Sequence, residues 1–259
     1  MANKKYTLGK GRLYFDAFLP NTKTLTGERY IGNTPSLSLT IESESLDHFD
    51  SDGGVRTKDD SVLLQLNRTG AFVTDNIDPE NVALFLLGSS SALVQASAAG
   101  QTYALNDVKK DRYYQVGRST ANPSGVRSIA TVVVKKGVTT LVLNTDYELD
   151  AELARIYIKP ESVTVIEGDD LVVEFSLLAK NRTRIITASN ATIDGALRFV
   201  ATNPKGDLFD YYMPSCRLSP NGEYALKGEE WQQIGFNIDV QKLDDVTESI
   251  YVDGRPFNP

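Results

Sequence analysis

The chain has 259 residues, with 34 acidic and 27 basic side chains, a single His (His48) and a single Cys (Cys216), giving a formal net charge of −7. One Cys excludes an intrachain disulfide, and one Cys with one His excludes a zinc site built from those two ligand types alone. Any Ser–His–Asp or Cys–His catalysis would have to use His48. The acidic balance argues against a protein that grips nucleic-acid phosphates, and 41% hydrophobic residues fit an ordinary globular chain.

Residues 1–10 carry Lys4 and Lys5 but no apolar stretch behind them, so no export signal is expected and synthesis is expected to be cytosolic. The longest strongly apolar run, Val82–Leu87, is too short to span a bilayer.

In chain order, Arg12–Phe18 reads as the first strand. Leu37, Leu39 and Ile41 then alternate with Ser36, Ser38, Thr40 and Glu42, a strand with one buried and one wet face. The segment Glu42–Asp60 holds seven acids (Glu42, Glu44, Asp47, Asp50, Asp52, Asp59, Asp60) against Arg56 and Lys58, which is −5 of the net −7. With Gly53-Gly54 near its centre it is expected to be a long loop, of a length commonly functional or disordered in compact domains. Val62–Arg68 is the return strand. Asp78 as N-cap, Pro79 at N1, Glu80 in the first turn and Gly88 as stop predict a helix over Pro79–Leu87. That helix is apolar on nearly every side, so it should pack hard on sheet or on another subunit.

Ser89–Gly100 reads as a surface excursion and Ala96–Tyr103 as loop. Further strands are expected at Ile129–Lys135, Thr139–Asn144, Ala154–Ile158, Leu171–Leu177, Ala196–Thr202, Leu208–Met213 and Ile234–Val240. Lys135-Lys136-Gly137, Asn203-Pro204-Lys205-Gly206 and Ser219-Pro220-Asn221-Gly222 read as turns. The expected fold is mainly β: an antiparallel β-sandwich or barrel with one short packed α-helix and a long inter-strand loop. It is expected as a single domain over 1–259, elaborated around 89–129.

The chemical motifs are weak. Asp50-Ser51-Asp52-Gly53-Gly54 invites calcium but lacks the further ligands and terminal Glu of an EF-hand loop. Gly9-Lys10-Gly11 lacks the third Gly of a dinucleotide fingerprint. His48 has no nucleophile motif such as Gly-x-Ser-x-Gly to serve, and Cys216 reads as a small buried side chain. Tyr113-Tyr114 and Tyr211-Tyr212 invite a sugar platform, but alternation splits each pair between two faces. No catalytic, cofactor or metal site is expected, and the chain reads as a non-enzyme.

The order of segments carries a resemblance. Gly11-Arg12-Leu13-Tyr14-Phe15-Asp16 opens a strand, and Thr26-Gly27-Glu28-Arg29-Tyr30-Ile31-Gly32-Asn33-Thr34-Pro35 leads into the next. The acidic segment with Asp52-Gly53-Gly54-Val55-Arg56 follows, then Thr74-Asp75-Asn76-Ile77-Asp78-Pro79-Glu80-Asn81. Later come Asp146-Tyr147-Glu148-Leu149-Asp150 and Gly206-Asp207-Leu208-Phe209-Asp210, before a closing strand around Trp231–Val240. This arrangement resembles the tail tube proteins of long-tailed, siphovirus-like bacteriophages.

The resemblance implies a structural subunit of the virion tail, assembled in the host cytoplasm. Hexameric rings would stack into a hollow conduit through which DNA passes without specific binding during genome ejection. Tape-measure, terminator and distal tail proteins would be its partners, with no membrane and no cofactor. It implies an inter-ring stacking loop holding Ser43, Glu44, Asp47, His48, Asp50, Asp52, Arg56, Lys58, Asp59 and Asp60. It also implies a subunit-packing helix presenting Val82, Phe85 and Leu86. Acidic walls suit a DNA conduit because they repel the polyanion. The alternative is a carbohydrate-binding or adhesin-like β-sandwich module of a virion or cell surface.

Overall fold

A computed structural model describes residues 6–187 and 190–256; the Lys4-Lys5 pair lies outside them. The chain is mainly β and divides into two compact units, Met1–Ser90 with Ile185–Pro259, and Ser91–Arg184.

The first unit begins with β1 (Gly11–Ala17), β2 (Arg29–Tyr30), β3 (Ser36–Asp50) and β4 (Thr57–Thr74), followed by α1 (Pro79–Phe85). The second is built from β5 (Ser89–Gln95), β6 (Ala98–Val108), β7 (Arg112–Gln115), β8 (Ile129–Lys136) and β9 (Thr139–Thr140). It continues through β10 (Tyr147–Asp150), β11 (Arg155–Ile158), β12 (Asp169–Leu177) and β13 (Lys180–Ile186). The chain then completes the first unit with β14 (Ile193–Ala201), β15 (Leu208–Asn221), β16 (Ile234–Val240) and β17 (Tyr251–Arg255).

In the first unit one antiparallel sheet runs β2-β1-β14-β15-β16-β4-β3, with β17 added on β15. Leu13, Phe15, Phe72, Leu197, Met213, Phe236 and Ile238 form its core, where the Phe72 and Phe236 rings stack at 5.0 Å. Gly195 on β14 sits against the Asp16 carbonyl and the Phe15 ring, leaving no room for a Cβ.

Helix α1 forms as its caps dictate. The Asp78 carboxylate accepts from the Asn81 amide at 2.7 Å, Pro79 occupies the first turn, and the Gly88 amide closes onto the Ala83 carbonyl at 2.8 Å. The left-handed residue at the C-terminus is Leu87 (φ 50°), one before the expected Gly88. Phe85 meets Tyr224 and Phe236 edge-on, so much of the helix's apolar surface is spent on this unit's own core.

In the second unit, sheets β6-β12-β8-β9 and β10-β11-β7 enclose a separate core of Leu105, Val134, Ile156, Ile158, Leu171 and Val173. A two-stranded ribbon of β5 and β13 carries the chain into and out of it.

Several expectations are corrected. The expected elaboration around 89–129 falls within the second compact unit, Ser91–Arg184, which has a core of its own. Ala96–Tyr103 is largely strand, because β6 is registered against β12 from Ala98 to Val108 and that pairing overrides the weak signal of Ala and Gly. Thr139–Asn144 keeps only β9 as strand. Pro220 and Asn221 belong to β15, opposite Phe236 and Gly235, and the bend comes at Gly222 (φ 76°). The acidic segment is not a long loop: it is the outer part of a hairpin.

Candidate interaction arm

β3 and β4 pair from Ser36↔Val73 out to Asp50↔Thr57, with bulges at Glu44/Ser45 and His48/Phe49. Residues 42–66 are all exposed, so this is a bare two-stranded arm closed by a short loop over 51–56. Alternation that reads as a half-buried strand at Leu37 and Leu39 simply continues outward past the edge of the body. Near its base, one face carries Leu37, Leu39, Ile41, Phe72 and Leu66 together with Ser43 and Arg68, and the other carries Ser38, Thr40, Glu42, Glu44, Thr69, Asn67 and Gln65. Farther out, Leu46 pairs with Val62, and the first bulge adds Leu64 beside Leu63. Ile41 is 64% exposed, Leu46 63% and Leu63 58%.

The expected stacking residues all lie on this arm. Ser43, Glu44, Asp47, His48 and Asp50 are on β3; Lys58, Asp59 and Asp60 are on β4; Asp52 and Arg56 are in the closing loop. Asp47 accepts from Lys58 Nζ (2.6 Å) and Ser61 Oγ (2.7 Å), and these donors hold its carboxyl below the usual range. His48 Nδ1 and Asp59 Oδ1 are 2.6 Å apart, while Asp50 accepts from the Asp52 amide at 2.9 Å. Asp60 accepts from the Ser61 amide at 2.7 Å, and the Arg56 guanidinium lies 5.4 Å from the Phe49 ring centre. Glu42, Glu44, Asp50, Asp52 and Asp60 have no cationic partner among the described residues. The structure also brings in Ile41, Val62, Leu63, Leu64 and Leu66, which the sequence reading treated as ordinary strand residues, and Leu46, which it placed in the long loop. Their sequence signal was the run Val62-Leu63-Leu64, too apolar for a strand with a wet face.

Among the helix residues, Val82 and Phe85 are half-buried against the first unit's core, and Leu86 is 37% exposed.

Elsewhere the chemistry is quiet. Burial, reinforced by Asp194 and Asp239, pushes the Cys216 thiol up to about 12, so it is no nucleophile. Among the described residues no three His, Cys, Asp or Glu side chains gather as a metal site. Tyr113 is exposed but engaged: the Tyr157 ring lies at 4.7 Å and the Arg155 guanidinium at 4.3 Å. The Tyr157 hydroxyl donates to Asp111 at 2.6 Å, which pushes its pKa up to about 12. Tyr211 packs with Phe199, while Tyr212 lies under the Arg198 guanidinium at 4.3 Å, so neither tyrosine pair forms a double platform.

No curated protein matches the chain. Residues 6–250 match the family model described as Protein of unknown function UCP028589, and the chain belongs to that family.

Proposed function

We propose that this chain is a structural, non-catalytic subunit that self-assembles into a tube, in the manner of the bacteriophage tail tube proteins its segment order resembles. The observation that carries the reading is the arm. A two-stranded hairpin is marginally stable alone in water, and this one leaves a row of branched aliphatic side chains uncovered. Covering Ile41, Leu46, Val62, Leu63 and Leu64 against a neighbour would gain about 1–2 kcal/mol for each.

The sheet supports the same reading. Among the described residues β3 is paired on one edge only, along its 15 residues, and the opposite margin ends in the two-residue β2. Such edges invite pairing with another chain unless they are joined. Edge-to-edge pairing closes a ring, and an arm reaching the next ring is a heterologous contact that propagates as a filament. The carboxylates left without cations then serve a conduit that must not retain DNA phosphates. We assign such a tube to the virion tail, with six subunits per ring, and with tape-measure, terminator and distal tail proteins as its partners.

Electron microscopy of the purified protein, with averaging of end-on views, tests this reading. Hollow rings or tubes of sixfold symmetry are expected. Monodisperse single chains at high concentration would sink it.

A further inference from the structure

Three separate segments of the second unit bring four arginines around one turn. Arg182 and Arg184 stand two residues apart on β13, hence on one face. Arg182 Nη2 donates to Gly125 O (2.9 Å) and Asn122 Oδ1 (3.4 Å); Arg184 Nη2 donates to Ser124 Oγ (2.9 Å) and to Asn122 Oδ1. Arg127 Nη1 donates to the Ser124 and Val126 carbonyls, both at 2.9 Å, and Arg118 Nε to the Pro123 carbonyl at 3.2 Å.

Every one of these acceptors is neutral. Among the described residues no carboxylate pairs with any of the four arginines, and each guanidinium keeps N–H groups without a protein partner. Burial, with the charges of Arg127 and Arg184, pulls the Arg182 pKa below the ordinary guanidinium value. Clustered positive charge without a counter-charge is costly unless something anionic completes it.

The same chain carries the complement. The second unit has 12 basic and 11 acidic side chains, whereas the rest of the chain has 15 and 23. The surplus acid is concentrated on the arm. The hydrogen bonds and ion pairs of residues 42–60 are all internal to the hairpin, so its free carboxylates engage nothing else in their own chain among the described residues. Guanidinium forks match carboxylates in pairs of parallel hydrogen bonds.

We propose that the Arg118/Arg127/Arg182/Arg184 cluster is the receptor for the acidic arm of a second copy of the chain. This deepens the assembly reading and rests on it. The second unit is then a docking module that gives the arm a polar address, while the apolar face of the hairpin supplies the buried area.

A charge swap tests it, with self-association followed by light scattering and folding checked by circular dichroism. Arg182→Glu/Arg184→Glu and, separately, Asp50→Lys/Asp52→Lys should each weaken self-association about tenfold or more, and mixing the two variants should restore it. Arg182→Lys/Arg184→Lys keeps the charge without the fork and should fall between. Mixed Asp50→Cys and Arg184→Cys chains should form an inter-chain disulfide; Cys216, being buried, stays silent. If the wild type assembles and the Arg→Glu variant assembles equally well, the proposal falls and the assembly reading stands. If the wild type never self-associates, both fall. Inorganic phosphate bound through these arginines, with assembly indifferent to them, would give the site to a free anion and overturn the proposal.

Discussion

Asn81 shows how one side chain fixes the neighbourhood from which the arm departs. It is fully buried at the start of α1, donates to the Ile31 and Asn76 carbonyls at 2.8 Å each, and accepts from Arg29 at 2.8 Å. Arg29 in turn pairs with Glu80 at 2.9 Å and Asp78 at 3.5 Å. Gly32 (φ +100°) sits directly on the Asn76 side chain, a conformation and a space that suit only glycine. Asn81→Leu would leave the Asn76 carbonyl without its donor and take the shortest bond from Ile31 O and one acceptor from Arg29, so it should destabilise the first unit by about 2–4 kcal/mol in urea titration. A change within a few tenths would show that the network is not needed. This network was invisible in the sequence, where Asn81 stood only as the last residue of the segment Thr74–Asn81. Two of its partners, Arg29 and Ile31, lie 52 and 50 residues earlier in the chain.

At the scale of elements, what was legible depended on how local the cause is. The caps of α1 act within a single turn, so Asp78 and Pro79 located the helix start, while the helix ends at Phe85, two residues before the expected Leu87. Strands with a buried face, such as Leu171–Leu177 and Ile234–Val240, announced themselves by alternation. The arm did not, because its outer strands bury nothing: Glu42–Asp60 has the composition of a loop, and it is paired register, interrupted by two bulges, that makes it a hairpin. The arginine cluster was equally hidden, since Arg118, Arg127 and Arg182 meet only after β13 has folded back toward the Ser119–Gly125 turn. Because the arm adds no burial to the body, replacing Glu42–Asn67 with an Asn-Gly turn between the paired Ile41 and Arg68 should leave thermal stability within a few degrees of wild type. Thermal melts check this, and a large loss would mean that the arm supports its own unit.

For the whole molecule, two separate cores predict two unfolding transitions in calorimetry or urea titration, where a single domain would show one. Asp146 offers a marker for the second. Burial pushes its pKa up, but hydrogen bonds from Ser162, the Val142 amide and Thr164 more than offset this, leaving the carboxyl below its usual range. A carboxylate depressed in the folded state stabilises at pH values above its unfolded pKa, and that contribution is lost as pH falls through the folded pKa. Acidification below about pH 4 should therefore weaken the second unit. At neutral pH Asp146→Ala should lower one transition by about 2–3 kcal/mol and leave the other in place. One merged transition, shifted as a whole, would contradict the division.

The net charge of the molecule is likewise uneven, with the acid surplus on the first unit and its arm, which favours contact between unlike parts of neighbouring copies. The most direct test of arm-mediated assembly compares solution masses by light scattering for the intact chain and the chain carrying the Asn-Gly turn in place of the arm. The intact protein is predicted to form large multimers that grow with concentration, and the arm-less protein to stop at single chains or isolated rings. Equal growth of both into long assemblies would contradict the account.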